Sequence, residues 1–205
     1  MAIYSYVITR DYGFAPNPFY SMCTLATCKS LIRGSAQIGD WILGFGSSNT
    51  DYKNKLIYAM QVQTKITFDE YWNGEEYQCK KPVMNGSLKQ VYGDNIYHHD
   101  SDGIKWIQDN SHHSNKDGSI NPINLETDTR HDAVLISRRY WYFGEKAITV
   151  PEDLSELICN GRGYRKFTDE VLKLKLEKWI DSLSEKGLIG DPIKFDGGFY
   201  RYGGQ

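Results

Sequence analysis

The chain of 205 residues has no apolar run approaching the ~20 residues that a membrane-spanning helix requires. Its start, MAIYSYVITR, lacks the basic region, apolar core and small-residue cleavage site of a secretory signal. A cytoplasmic protein without a membrane partner is expected. Cysteine is sparse: Cys23, Cys28, Cys79 and Cys159 are irregularly spaced, and Cys23 with Cys28 fits neither a zinc knuckle nor a thioredoxin motif. They read as buried free thiols. No disulfide or metal staple is required, because a single domain of this length buries on the order of 70% of its unfolded surface. Basic charge is not in excess, since 24 Lys+Arg against 26 Asp+Glu leave a net charge of −2. That excludes a protein that coats duplex DNA through a global positive field. A phosphate-cradling glycine loop, a Rossmann glycine fingerprint and a nucleophile elbow are also missing, which sets aside kinases, dinucleotide-dependent oxidoreductases and serine hydrolases. No cofactor is expected.

What is present is concentrated. All five histidines, His98, His99, His112, His113 and His131, fall in one polar stretch between Asn85 and Asp132. The same stretch carries Asp94, Asp100, Asp102, Asp109, Asp117, Asp128 and Asp132. Long irregular segments in compact domains are usually functional or disordered. Tyr97, Ile104, Trp106, Ile107, Ile123 and Leu125 argue for order, because a solvated linker rarely carries that many large apolar groups. The two histidine pairs do not offer a facial metal arrangement of the kind that a helical HExxH gives, since adjacent side chains in a strand point apart. No metal site is expected from them.

Around this stretch the elements are short. Ile3 to Thr9 predicts an internal strand, and the loop RDYGFAPNPFYSM is fixed by prolines on both sides of Asn17. Thr24 to Arg33 places Leu25, Cys28, Leu31 and Ile32 at helical spacing. Trp41 to Phe45 predicts a strand, and alternation from Lys55 to Ile66 predicts a second, antiparallel to it. Thr67 with Glu70 forms a capping box for a short helix. Ala133 to Phe143 reads as one further strand, and Pro151 to Ile158 as a turn of helix. After Thr168 an amphipathic helix carries Val171, Leu172, Leu174, Leu176, Trp179, Ile180 and Leu183 on one stripe, with Gly187 as its stop. In NGRGYRKF, Arg162 and Arg165 interleave with aromatic residues, which suits phosphate contact beside base stacking.

The run GDWILGFGS resembles the Gly-Asp-strand element of PUA-like folds, the group with ASCH, EVE and YTH domains. Four longer stretches sharpen the resemblance: YGFAPNPF with CTLATCK, AQIGDWILGFGS, FDEYWN with CKKPVMNGSLKQVYGDNIYH, and DNSHHSNKDGS with DTRHDAVLIS and YFG. Together they resemble the second type of nucleotide-modification-associated domain, a family found around phage and bacterial DNA-modification genes. The resemblance covers roughly residues 1 to 145. It implies an α+β fold, a PUA-like bent β-sheet or small barrel with flanking helices and a C-terminal helix. A single domain spanning 1–205 follows, with 1–145 as its core and 146–205 as a C-terminal helical extension. The implied partner is DNA containing modified bases.

For such a partner the residue inventory suits base excision. Cleaving a glycosidic bond builds positive charge on the sugar, which a carboxylate stabilises, while the departing base takes a proton. Asp128 is the expected carboxylate, and His112 or His113 the donor. A flipped base would be stacked and read by Asn17, Asn85, Tyr97, Trp41 and Tyr142, with Arg130, Arg162 and Arg165 on phosphates. Two rivals remain open: a PUA-like reader that holds a modified base in an aromatic cage, and an enzyme that installs or remodels a modification.

Overall fold

A computed structural model describes residues 1–204 of the chain. The β-branched and aromatic run at the start forms β1 (Ile3–Ile8), which pairs in parallel with β3 (Trp41–Gly46). Between them in sequence lie the short strand β2 (Cys23–Leu25) and helix α1 (Ser30–Ser35). β3 then pairs antiparallel with β4 (Leu56–Gln61), as the alternating pattern requires. Later segments complete the sheet: β9 (Tyr140–Tyr142), β10 (Tyr164–Phe167) and β11 (Gly187–Leu188). The strand order is β10-β1-β3-β4-β9-β11, an open six-stranded sheet and not a closed barrel. Two smaller sheets accompany it. β5 (Thr64–Ile66) and β2 flank β8 (Val134–Ser137), and β6 (Tyr97–His99) pairs with β7 (Trp106–Gln108) in a hairpin.

Alternation along β1 and β3 decides what each face buries. Ile3, Trp41, Leu43 and Phe45 face one side, where Leu172, Leu176 and Ile180 of helix α5 (Glu170–Asp181) cover them. Tyr4, Tyr6, Ile8 and Ile42 face the other side and pack on Cys23, Leu25 and Leu135 of the three-stranded sheet. Gly44 lies on that second face, where an added Cβ would come within 2.5 Å of Ile8 and Tyr58, so a side chain would not fit. Among the described residues no helix is long and apolar enough to cross a membrane.

Several boundaries differ from those expected, each for a packing reason. The run Ala133 to Phe143 is two strands, not one, because the chain leaves β8 for the main sheet at Arg138 and Arg139. The segment Lys55 to Ile66 divides at the same corner into β4 and β5. Gln63 Oε1 accepts from the backbone of Arg138 and Arg139, and Arg139 donates to Gln61, so polar side chains hold the corner. The helix expected over Thr24 to Arg33 starts only at Ser30, because residues 23–25 pair with β8. Cys28 and Lys29, between strand and helix, both take positive φ, 55° and 42°. Helix α5 ends at Asp181 with Ser182 as cap, while Gly187 lies in β11. Its stripe is narrower than predicted, since Val171 and Leu174 are exposed. The capping box is present, with Glu70 N–H donating to Thr67 at 3.2 Å and Thr67 N–H to Glu70 at 2.7 Å, at the start of α2 (Phe68–Asn73).

Candidate active site

The parallel strands β1 and β3 end side by side, and ligands in open sheets of this kind bind beyond such carboxyl ends. Here a cleft of about 370 Å³ opens beside residues 6–10 of β1 and its exit. Cys28, His113 and Asp128 lie on one wall, and Phe14, Tyr12 and Tyr202 supply aromatic surface. Phe14 and Tyr202 sit 4.8 and 5.5 Å from the His113 ring, centroid to centroid.

Asp128 comes from α4 (Pro122–Thr129), which Asn121 caps by accepting from Asn124 N–H and which opens with a proline at its first turn. Asn124 and Asp128 are four residues apart, so they share the buried face of this helix. Asp128 as a whole residue is only 1% exposed, and three donors reach its carboxylate. Oδ1 accepts from the backbone N–H of Cys28 at 2.7 Å, and Oδ2 accepts from Tyr97 Oη at 2.9 Å and His113 Nδ1 at 2.8 Å. The opposite nitrogen of the same ring, Nε2, lies 3.7 Å from Cys28 Sγ. The imidazole thus bonds the carboxylate through one nitrogen and faces the sulfur through the other. The backbone is braced too: Asn124 Nδ2 and Gln108 Nε2 donate to the His113 carbonyl, and the buried Arg33 guanidinium donates to the carbonyls of Cys28 and Asp128.

The electrostatics favour an ion pair. Burial opposes a charge on His113, but the Asp128 carboxylate and the Cys28 sulfur outweigh it and raise its pKa to about 10. Burial likewise opposes ionisation of Asp128, yet the His113 charge and its hydrogen bond, with Arg33 and Tyr97, hold it below the usual carboxylate range. His112 behaves in the opposite way. Burial and the neighbouring His113 charge push its pKa down to about 3, so it is neutral at ordinary pH. Its Nδ1–H donates to the Tyr200 carbonyl, and its own carbonyl accepts from Tyr202 N–H at 2.7 Å. The C-terminal segment is thereby seated against the cleft.

The donor atoms of Cys28, His113 and Asp128 all lie within 4.8 Å of one another. Thiolate, imidazole and carboxylate are zinc-type ligands, and a carboxylate behind a ligating histidine is a common support. Asp128 already accepts from three donors, however, which leaves two protein ligands where a catalytic zinc takes three.

The remaining residues singled out by sequence are dispersed. Tyr97 stands behind Asp128 and not in the cleft. Asn17 is fully buried, where its Nδ2 donates to the Tyr92 carbonyl and its Oδ1 accepts from Lys80 Nζ at 2.7 Å. Trp41 lies on the α5 face, packed on Trp141 and donating to Glu177, and Tyr142 is buried with its hydroxyl donating to Asp11. All three are buried and stand outside the lining of the cleft. Asn85 is exposed in the turn before α3 (Leu88–Val91), and Arg130 is exposed at the end of α4. Arg165 folds back to donate to the carbonyls of Glu156 and Ile158, whereas Arg162 lines a separate cavity. The residue that sequence reasoning missed is Cys28. The signal for it was a cysteine with histidine and aspartate elsewhere in the chain, which only folding brings together.

Fold and site together define an α+β protein with a cysteine–histidine–aspartate centre at the carboxyl end of a parallel strand pair. The chain belongs to the family described as nucleotide modification associated domain 2, whose model matches residues 1–198, and its role is therefore associated with nucleotide modification. The match runs well past residue 145, so it includes the strands and helix of the C-terminal part. No curated protein and no solved structure matches the chain.

Proposed function

We propose that this protein is an enzyme that remodels a modified nucleotide in DNA by nucleophilic attack from Cys28. The observation that carries the reading is that His113 bonds the Asp128 carboxylate through Nδ1 and faces Cys28 Sγ through Nε2 at the wall of a base-sized cleft. Asp128 fixes the tautomer and orientation of His113 and stabilises its charge, and His113 serves as the proton partner of the sulfur. The step balances simply. The thiolate forms an S–C bond to an electrophilic carbon of the base substituent, such as an acyl carbon, while the bond to the leaving atom breaks and His113 supplies that atom's proton. Water then attacks the same carbon, His113 takes the water's proton, and the S–C bond breaks to restore Cys28. Phe14, Tyr12 and Tyr202 provide the flat apolar surface that a base leaving the helix requires.

Base excision is the second reading, and the place of His113 in the lining of the cleft favours it, as a proton source for a departing base. Its difficulty is the carboxylate, because both Asp128 oxygens are engaged and no other acidic side chain lines the cleft. The test is incubation of the purified protein with unmodified, hydroxymethylated, glucosylated and acyl-substituted DNA, followed by mass spectrometry of nucleosides, free bases and intact protein. Removal of a substituent with the sugar–base bond intact, plus a protein adduct lost in Cys28→Ala, is the expected result. Free base with alkali-labile strand breaks would replace it with a glycosylase. Full turnover by Cys28→Ala would sink the nucleophile, and zinc retained by the wild type but lost in that variant would make Cys28 a metal ligand instead.

A further inference from the structure

The end of β3 opens a second cavity, of about 410 Å³, which shares Val7, Thr9 and Lys29 with the Cys28 cleft. Its other walls are the turn that follows β3, with Ser47 and Asn49, and the segment Asn160–Gly163 that leads into β10. The chemistry of this lining is one-sided. Lys29 and Arg162 are its charged residues and none of its lining residues is acidic, although the whole chain carries a net charge of −2. The wall at Gly161 and Gly163 is open, since a Cβ added at either would meet nothing within 4 Å. Lys29 stands between the two spaces. Its ammonium lies 4.5 Å from the centre of the Tyr6 ring, and its backbone directly follows Cys28. A ligand whose reacting part is at the sulfur thus has a cation one residue away, and consecutive Cα atoms are only about 3.8 Å apart. Arg162 answers it from the opposite segment, and Ser47 and Asn49 offer uncharged hydrogen-bonding groups.

We propose that this second cavity is a phosphate subsite, and that it holds the phosphate of the nucleotide whose base occupies the Cys28 cleft. The inference rests on the reading of that cleft as a nucleotide site, but not on which bond is broken there. A phosphate is favoured over a carboxylate because two cations and several neutral hydrogen-bonding groups line the cavity with no acidic side chain among them. The phosphate is either the terminal group of a free nucleotide or a phosphodiester of a strand, and the same side chains serve both.

The test measures binding to the full chain with three probes: a short single-stranded oligonucleotide, a nucleoside 5′-monophosphate and the matching nucleoside. Wild type is compared with Arg162→Ala, Arg162→Lys and Arg165→Ala over a range of salt. Loss of one phosphate contact should weaken the phosphate-bearing probe about tenfold and flatten its log–log salt slope by about 0.7. Arg162→Lys should recover part of the loss, and Arg165→Ala should change nothing, because that guanidinium already donates to two carbonyls. Weakening of the monophosphate but not the nucleoside identifies a terminal phosphate; weakening confined to the oligonucleotide identifies a backbone phosphodiester. Unchanged binding of both phosphate-bearing probes in Arg162→Ala, or an equal loss in Arg165→Ala, overturns the subsite. Cys28→Ala separates the two ideas: full turnover there, with phosphate binding still dependent on Arg162, removes the nucleophile and leaves the subsite standing.

Discussion

The dipeptide His-His occurs twice in this chain, and the two copies have different fates. His98 and His99 lie on β6, where His98 stacks on Trp72 at 4.0 Å and His99 lies 3.8 Å from Trp106. His112 and His113 lie in a buried turn between Tyr200 and Asp128. In each pair the second histidine bonds an aspartate at 2.8 Å, His99 to Asp69 and His113 to Asp128. The difference is water. The side chains of His99 and Asp69 are 20% and 44% exposed, those of His113 and Asp128 only 3% and 2%. A bond of one length is a screened surface pair in the first case and a desolvated ion pair in the second. Only the second also has a sulfur on its far nitrogen. The comparison teaches that a histidine–carboxylate contact becomes a candidate catalytic group through burial and a third member, not through its distance.

The largest expected effect comes from breaking both pairs in the same way. Asp128→Asn should destabilise the protein by about 3–5 kcal/mol, because it leaves a buried imidazolium without its counter-charge. Asp69→Asn should cost about 1 kcal/mol or less, as exposed pairs do. Urea unfolding of the two variants checks this, and equal losses would erase the distinction between the pairs. Next in size is the alkaline limb. An unfolded histidine titrates near ~6.5, whereas folded His113 is raised to about 10. Between these values the folded state binds the additional proton, so the pair's stabilisation is complete below about pH 6.5 and is lost as pH rises toward 10. Asp128→Asn should remove most of that slope, and Asp69→Asn should leave it in place.

The sequence made the scaffold more legible than the centre. β1, β3 and β4 follow from β-branched runs and alternation, and the Thr67–Glu70 box from residues three apart, because these signals are local. The histidine stretch reads as ordered from its large apolar groups, and within it Asp128 and His113 meet at 2.8 Å. What escaped is non-local. Cys28 and His113 are 85 residues apart, and Tyr200 reaches His112 across 88. Asn17, Trp41 and Tyr142 illustrate the converse: a polar or aromatic residue suited to recognition looks the same in sequence when it is a buried brace. The corner at Arg139 was hidden because apolar residues resume on both sides of its few polar ones, Gln61 and Gln63 in one run and Ser137 to Arg139 in the other.

Two smaller effects sharpen the contrast within and between the pairs. His112 should oppose His113 in sign: its folded pKa is pushed down to about 3, so the unfolded chain takes up a proton first as the solution is acidified. The stability tied to neutral His112 is present above about pH 6.5 and is lost as pH falls toward 3. His112→Gln should flatten that acid limb in urea titrations while sparing the alkaline one. If both limbs changed together, the two rings would be titrating as one unit. The smallest effect belongs to the exposed pair, where Lys81 Nζ sits 3.5 Å from the centre of the Trp72 ring that His98 also stacks against. Lys81→Ala should cost about 0.5–1 kcal/mol, the size of an exposed cation–π contact, and leave turnover unchanged. A loss of turnover in that variant would bring the hairpin and its two histidines into the reaction, and would make burial a poor guide to which pair works.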